Sequence, residues 1–203
     1  AGHAQRGAAP RGRLLSWSAI EIVAAVVTLL SIWLATRETL LYYPTGVVST
    51  LLYTWVFAQA RLYAEAGLQL VWLALLVYGW LQWRYGGPRK DELPVTRTPP
   101  WGWMVALAGG VVLSLLLIWI QRTYTDNPAP VLDSSIAAWS IVAQWMIARK
   151  WIENWLFWTV INVIAIGLYL SRPNMVATAV LYLGLLILGL EGYRKWRHTL
   201  VSV

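Results

Sequence analysis

The chain has 203 residues, of which 59% are hydrophobic and 12% charged, about half the roughly 25% charged share of an average soluble domain. A soluble fold of this size has too little interior to hide that much apolar surface, so lipid is its natural solvent. The net charge of +7 is scattered between apolar runs, which reads as membrane topology rather than as a basic face for nucleic acid.

In chain order, the opening Ala1-Gly2-His3-Ala4-Gln5 lacks a Met and reads as a tail, in part an expression or cleavage scar. A membrane helix needs about 20 mostly apolar residues, with a range of roughly 17–25. Windows between successive charges give seven spans: Glu21 to Arg37, Thr39 to Ala60, Ala66 to Trp83, Thr98 to Gln121, Asp133 to Arg149, Asn154 to Ser171 and Pro173 to Leu190. Their apolar runs are continuous rather than alternating, so they predict helices and not barrel strands. The segment from Gly86 to Pro100, with Arg84 just before it and Arg89, Lys90 and Arg97 within it, is the longest basic connection. Fifteen Trp and ten Tyr against two Phe suit membrane interfaces and polar-lined cavities.

Basic residues set the orientation. Arg37, Arg84, Arg89, Lys90, Arg97, Arg149, Lys150, Arg194, Lys195 and Arg197 fall on the C-terminal face, against Arg6, Arg11, Arg13, Arg61, Arg122 and Arg172 on the other. The excess predicts a cytoplasmic C-terminus.

The halves echo each other. Glu21, Trp33 and Arg37 recur as Asp133, Trp145 and Arg149, displaced by 112 (133 − 21, 145 − 33, 149 − 37). Gly79 and Trp83 recur as Gly192 and Trp196, displaced by 113 (192 − 79, 196 − 83). Chance matches among common aromatic and basic residues compete with a true repeat. A true repeat gives an all-α membrane protein of two parallel three-helix bundles joined by a linker helix, a 3+1+3 arrangement. The divisions are 1–15 tail, 16–84 first repeat, 85–126 basic loop and linker, 127–197 second repeat and 198–203 tail.

Polar side chains within spans are costly unless partnered, so they point to sites. Trp155, Trp158 and Asn162 follow i, i+3, i+7 on one face of span six. Two indoles can stack on a flat heterocycle while the amide binds hydroxyls or a carboxamide, and a cationic ring gains further from the indole faces. Gln69, Trp72 on the same face one turn later, and Gln144 join them as candidate substrate-binding residues. The competing reading makes the Trp residues interfacial anchors and the Asn a helix-to-helix hydrogen bonder. Trp80, Trp83, Trp101, Trp103 and Trp196 read as interface belt.

Around span six the chain resembles the PnuC family of bacterial vitamin transporters, whose WxxWxxxN signature is met by Trp155, Trp158 and Asn162. The run Ala148 to Trp155 and the run Leu62 to Gln69, followed by Tyr78-Gly79-Trp80, are similar too. The resemblance covers nearly all seven spans and implies the 3+1+3 fold related to the SWEET transporters. It implies uptake of nicotinamide riboside across the bacterial inner membrane by facilitated diffusion, with cytoplasmic phosphorylation trapping the product. It also implies substrate contacts at Trp155, Trp158, Asn162 and Gln69, and a homo-oligomer, a trimer. Relatives of similar fold carry thiamine or riboflavin, and thiamine, a flat cationic heterocycle, stands as the second substrate reading.

The residues bear on mechanism independently. No Asp, Glu, Lys, Arg or His falls at mid-depth in a span, whereas proton-coupled carriers need a titratable group there, so uniport is expected. An intramembrane enzyme would need an activated nucleophile or a metal cluster. The chain has no Cys, and its two His, His3 and His198, lie near the ends, so no metal site and no cofactor are expected. A scaffold without a ligand is the remaining class, and it predicts packed helices without a central cavity.

Overall fold

The computed structural model describes residues 19–59, 63–126, 129–172 and 175–200. Seven helices account for most of them: α1 (Ala19–Thr36), α2 (Tyr42–Gln59), α3 (Tyr63–Tyr85), α4 (Pro100–Tyr124), α5 (Pro130–Ala148), α6 (Asn154–Leu170) and α7 (Val176–Thr199). Four of these, α1, α4, α5 and α7, are long and apolar enough to cross a membrane by length and composition. α6 is apolar but has 17 residues. α2 and α3 are diluted by Tyr, Thr, Ser and Gln, and several of those side chains face an internal cavity rather than lipid.

Helix neighbours define the architecture. Among the described residues α1 packs on α2, α2 on α3, α3 on α5, α5 on α6, α6 on α7, and α7 returns to α1. The six form a closed ring, and α4 lies outside it against α5 alone. Exchanging α1, α2, α3 for α5, α6, α7 turns this list of neighbours into itself, as a parallel repeat about an axis along the membrane normal requires. α4 presents a stripe of small buried residues, Gly102, Ala106, Gly110 and Ser114, one per turn. The stripe lets α4 approach α5 closely, and the Trp139 ring lies 2.5 Å from where a Cβ on Gly110 would sit.

The two halves repeat in detail at one end of the ring, where α1, α3, α5 and α7 finish. The glycine pair of the repeat has one function in both halves. A Cβ on Gly79 would lie 2.6 Å from the Tyr43 ring, and one on Gly192 would lie 2.5 Å from the Trp155 ring. Tyr43 and Trp155 are themselves equivalent (155 − 43 = 112). Each glycine is therefore the seat of a large ring from the neighbouring helix of its own half.

α7 runs to Thr199, nine residues past the expected limit at Leu190. The extension carries Trp196 into the core, where it is 0% exposed, and Trp83 is 1% exposed. Both were expected in the interface belt. The structure corrects this: they pack with Tyr42, Tyr43 and Trp155 in a buried aromatic cluster. Trp80 and Trp101 remain exposed. The expected tail from 198 begins inside α7, while the opening residues to 18 lie outside the described residues.

Candidate functional site

α2 supplies the pattern that makes a cavity. Gly46, Ser49, Thr50 and Tyr53 follow i, i+3, i+4, i+7, so they share one helical face. That face turns inward, and a cavity of about 650 Å³ lies in the ring against it. α1 contributes Glu21 and Thr28, α3 contributes Gln69 and Trp72, and α6 and α7 contribute Tyr169, Thr178 and Tyr182. The volume falls in the roughly 300–1,000 Å³ range of small-molecule sites. The cavity lies toward the end where α1 begins, with Glu21 among its lining residues.

A second chamber of about 150 Å³ continues it toward the closed end. Thr28, Ser49, Thr50 and Trp72 line both. The deeper chamber adds Ser31, Tyr42, Gly46, Gln144 and Trp158. Below it the aromatic cluster of Tyr42, Tyr43, Trp83, Trp155 and Trp196 shuts the ring.

Hydrogen bonds fix the chamber walls. Thr28 donates to the Ala24 carbonyl at 2.8 Å, and its hydroxyl lies 2.6 Å from that of Ser49. Ser31 donates to the Tyr42 carbonyl at 3.0 Å. The Tyr42 hydroxyl lies 3.0 Å from Oε1 and 2.9 Å from Nε2 of Gln144. This contact joins the two halves across the chamber floor.

Four of the six sequence-based site residues come together around the chambers: Gln69 and Trp72 in the outer one, Trp72 again with Trp158 and Gln144 in the inner one. The other two sit behind the wall. Trp155 is 1% exposed and packs edge-on against Trp196, ring centroids 5.4 Å apart. Asn162 is 2% exposed. None of the three motif side chains faces the lipid surface. Trp155 Nε1 and Asn162 Oδ1 have no hydrogen-bond partner among the described residues, an expensive condition for buried polar atoms.

Sequence reasoning missed the hydroxyl wall. Thr28, Ser49, Thr50, Tyr53 and Tyr182 line the outer chamber without having been singled out. The signal was the spacing of polar residues on α2, overlooked because hydroxyls are tolerated in any membrane helix through a bond to the carbonyl one turn back, as Thr50 and Thr54 make here. The set suits a polar ligand with a flat ring: Trp72 and the Tyr rings offer faces, and the hydroxyls and amides offer donors and acceptors.

Known transporters are similar to this chain over most of its length. The nicotinamide riboside transporter PnuC of Escherichia coli (strain K12) is 29% identical over 209 residues, spanning 90% of this chain and 85% of its own length. The riboflavin/roseoflavin transporter RibM of Streptomyces davaonensis is also 29% identical, over 185 residues that span 89% of this chain and 84% of its own. The crystal structure of the vitamin B3 transporter PnuC matches with a TM-score of 0.68 at 24% identity, covering 89% of this chain and 81% of that one, which establishes a shared fold. The profile of nicotinamide mononucleotide transporters matches residues 18–198, nearly all of the seven-helix region. The chain therefore belongs to the nicotinamide mononucleotide transporter family, as a multi-pass membrane transporter rather than an enzyme.

Proposed function

We propose that the chain takes up nicotinamide riboside across a bacterial inner membrane by facilitated diffusion, with cytoplasmic phosphorylation trapping the product. The observation that carries this reading is the two-chamber cavity inside the ring, lined by two indoles, two amides and a row of hydroxyls. A pyridinium ring suits Trp72 and Trp158, and ribose hydroxyls suit Gln69, Ser49 and Tyr53. The carboxamide suits the Gln144 amide, which lines the inner chamber. Trp155 and Asn162 complete the site from the second layer, with Asn162 one turn beyond Trp158 on α6. The excess of basic residues on the C-terminal face makes that face cytoplasmic, so the cavity opens outward. A homotrimer is part of the same proposal, and native mass spectrometry of the purified protein tests it.

Purified protein in liposomes tests the transport reading. Nicotinamide riboside counterflow is expected, and a protonophore is expected to leave it unchanged, because no Asp, Glu, Lys, Arg or His lies at mid-depth in the described helices. Strong inhibition by the protonophore would defeat the uniport reading. The likeness to RibM favours riboflavin as a second substrate reading. Calorimetric titration with nicotinamide riboside, thiamine and riboflavin ranks the three, and tighter binding of either of the latter two reassigns the substrate.

A further inference from the structure

Trp83 and Trp196 have no part in the ligand site, yet they tie the two halves together at the closed end. Trp83, late in α3, donates its Nε1–H to the Ile147 carbonyl in the last turn of α5 at 2.9 Å. Trp196, late in α7, donates to the Ala35 carbonyl in the last turn of α1 at 3.1 Å. Donors and acceptors are equivalent under the repeat (196 − 83 = 113, 147 − 35 = 112). Both bonds cross from one half to the other. Both end on carbonyls at a helix C-terminus, where the helix itself provides no i+4 partner.

A third contact follows the same symmetry. Glu38 and Lys150 are equivalent residues (150 − 38 = 112). Each has a positive φ, 56° and 51°, just past the end of α1 and α5, where glycine is the common choice. They face each other, with Lys150 Nζ 3.4 Å from Glu38 Oε2 and 4.7 Å above the Trp83 ring.

The contacts within each half are of another kind. Tyr43 on Gly79 and Trp155 on Gly192 are tight apolar seats between helices of one half, so they can stay intact if the halves separate. The contacts between halves combine ring packing, Trp83 against Trp196 at 5.8 Å between centroids, with polar bonds that water can replace. The Ile147 carbonyl also accepts from Lys150 N–H at 2.9 Å, and that of Ala35 from Glu38 N–H at 3.0 Å. Neither is orphaned when its indole leaves. The closed end is thus built from two internally seated pieces whose mutual contacts include three releasable polar bonds.

We propose that Trp83 and Trp196 are matched positioning residues of an inner gate, and that substrate leaves by joint release of their two indole–carbonyl bonds and the Glu38–Lys150 pair. The proposal rests on the transport reading, and it takes from the proposed orientation only the name of the side.

The absence of Cys makes a direct test possible. Thr50→Cys places one thiol in the wall shared by both chambers, and a small membrane-impermeant methanethiosulfonate is applied to either face of the membrane. Trp83→Phe and Trp196→Phe are each expected to raise labelling from the closed face by about 2- to 10-fold, the effect of one net hydrogen bond. Labelling from the open face falls at the same time. Reciprocal change supports the gate. A rise from both faces means general loosening and overturns it, as does no change from either. Should a Trp variant fail to fold, Glu38→Gln carries the same readout, because it weakens the third contact on a partly exposed side chain. A separate Arg89→Cys chain, with its thiol in the exposed connection after α3, reports which side of the membrane the closed end faces, so an error of orientation is told apart from failure of the gate.

Discussion

The two ends of the helix ring differ in how far the repeat is kept. At the closed end equivalent positions keep equivalent roles: Trp83 and Trp196 donate, the Ala35 and Ile147 carbonyls accept, Gly79 and Gly192 seat rings, and Glu38 faces Lys150. Around the chambers the equivalence is gone. Gln69 corresponds to Tyr182 and Trp72 to Leu185 (182 − 69 = 113, 185 − 72 = 113), while Trp158 corresponds to Gly46 (158 − 46 = 112). All six line the chambers. Closure is a task shared by two like halves, so matched residues serve it. A small ligand without twofold symmetry has a different group on each side, so its walls must differ.

The sharpest way to break that comparison is to fill one of the matched seats. Gly192→Val puts side-chain carbon where three Trp155 ring atoms lie within 2.7 Å of the Cβ. Overpacking of this kind costs about 1–3 kcal/mol or more, and transport is expected to be lost with thermal stability in detergent. Gly79→Val should do the same through Tyr43, because the seats are equivalent. Gly167 is the control. It has nothing within 4 Å of a Cβ, and Gly167→Ala is expected to stay within about 1 kcal/mol of the parent, on the stabilising side. Equal melting temperatures for all three variants would show that the seats bear no load.

At the open end the largest expected effect is that of Trp72, which lines both chambers. Trp72→Ala removes the ring face assigned to a cationic heterocycle, an interaction of about 2 kcal/mol when desolvated, or roughly a 30-fold loss of nicotinamide riboside affinity by calorimetry. Trp72→Phe should recover part of it. The protein should still fold, since Trp72 is only half-buried. An affinity unchanged by the Ala variant would move the ligand elsewhere in the ring.

Most of the fold was legible because membrane helices announce themselves by unbroken apolar runs. The bounds of α6 matched within a residue, and the repeat was visible from Glu21, Trp33, Arg37, Gly79 and their partners. The sequence misled at α7, where Glu191, Arg194, Lys195 and Arg197 look like the end of a span. Helix propensity and the burial of Trp196 carry the helix through them. It misled again for Trp83, because a Trp beside Arg84 has the same local context whether it anchors at lipid or caps a carbonyl of another helix. Only the partner's position, 64 residues away, separates the two. Of the motif on α6, sequence spacing gave the common face correctly but not its depth, so Trp158 reaches the chamber while Trp155 and Asn162 lie behind it.

Tyr42 belongs to both ends, and the smallest effect tests where one stops and the other begins. Its ring packs with Tyr43 and Trp83 in the closing cluster, at 4.7 and 5.8 Å between centroids, while its hydroxyl bonds Gln144 beside the chamber. Tyr42→Phe keeps the ring and deletes only the hydroxyl, so the gate should stay shut. The amide of Gln144 then loses the partner that holds its orientation. A net hydrogen bond of about 0.5–1.5 kcal/mol predicts a 2- to 10-fold weaker ligand affinity. Gln144→Leu should act in the same direction, and the double variant should lose no more than the larger single loss, because one interaction is removed either way. Additive losses would mean that each side chain meets the ligand separately. An unchanged affinity in all three would assign the pair wholly to closing the ring, leaving the inner chamber to Trp158.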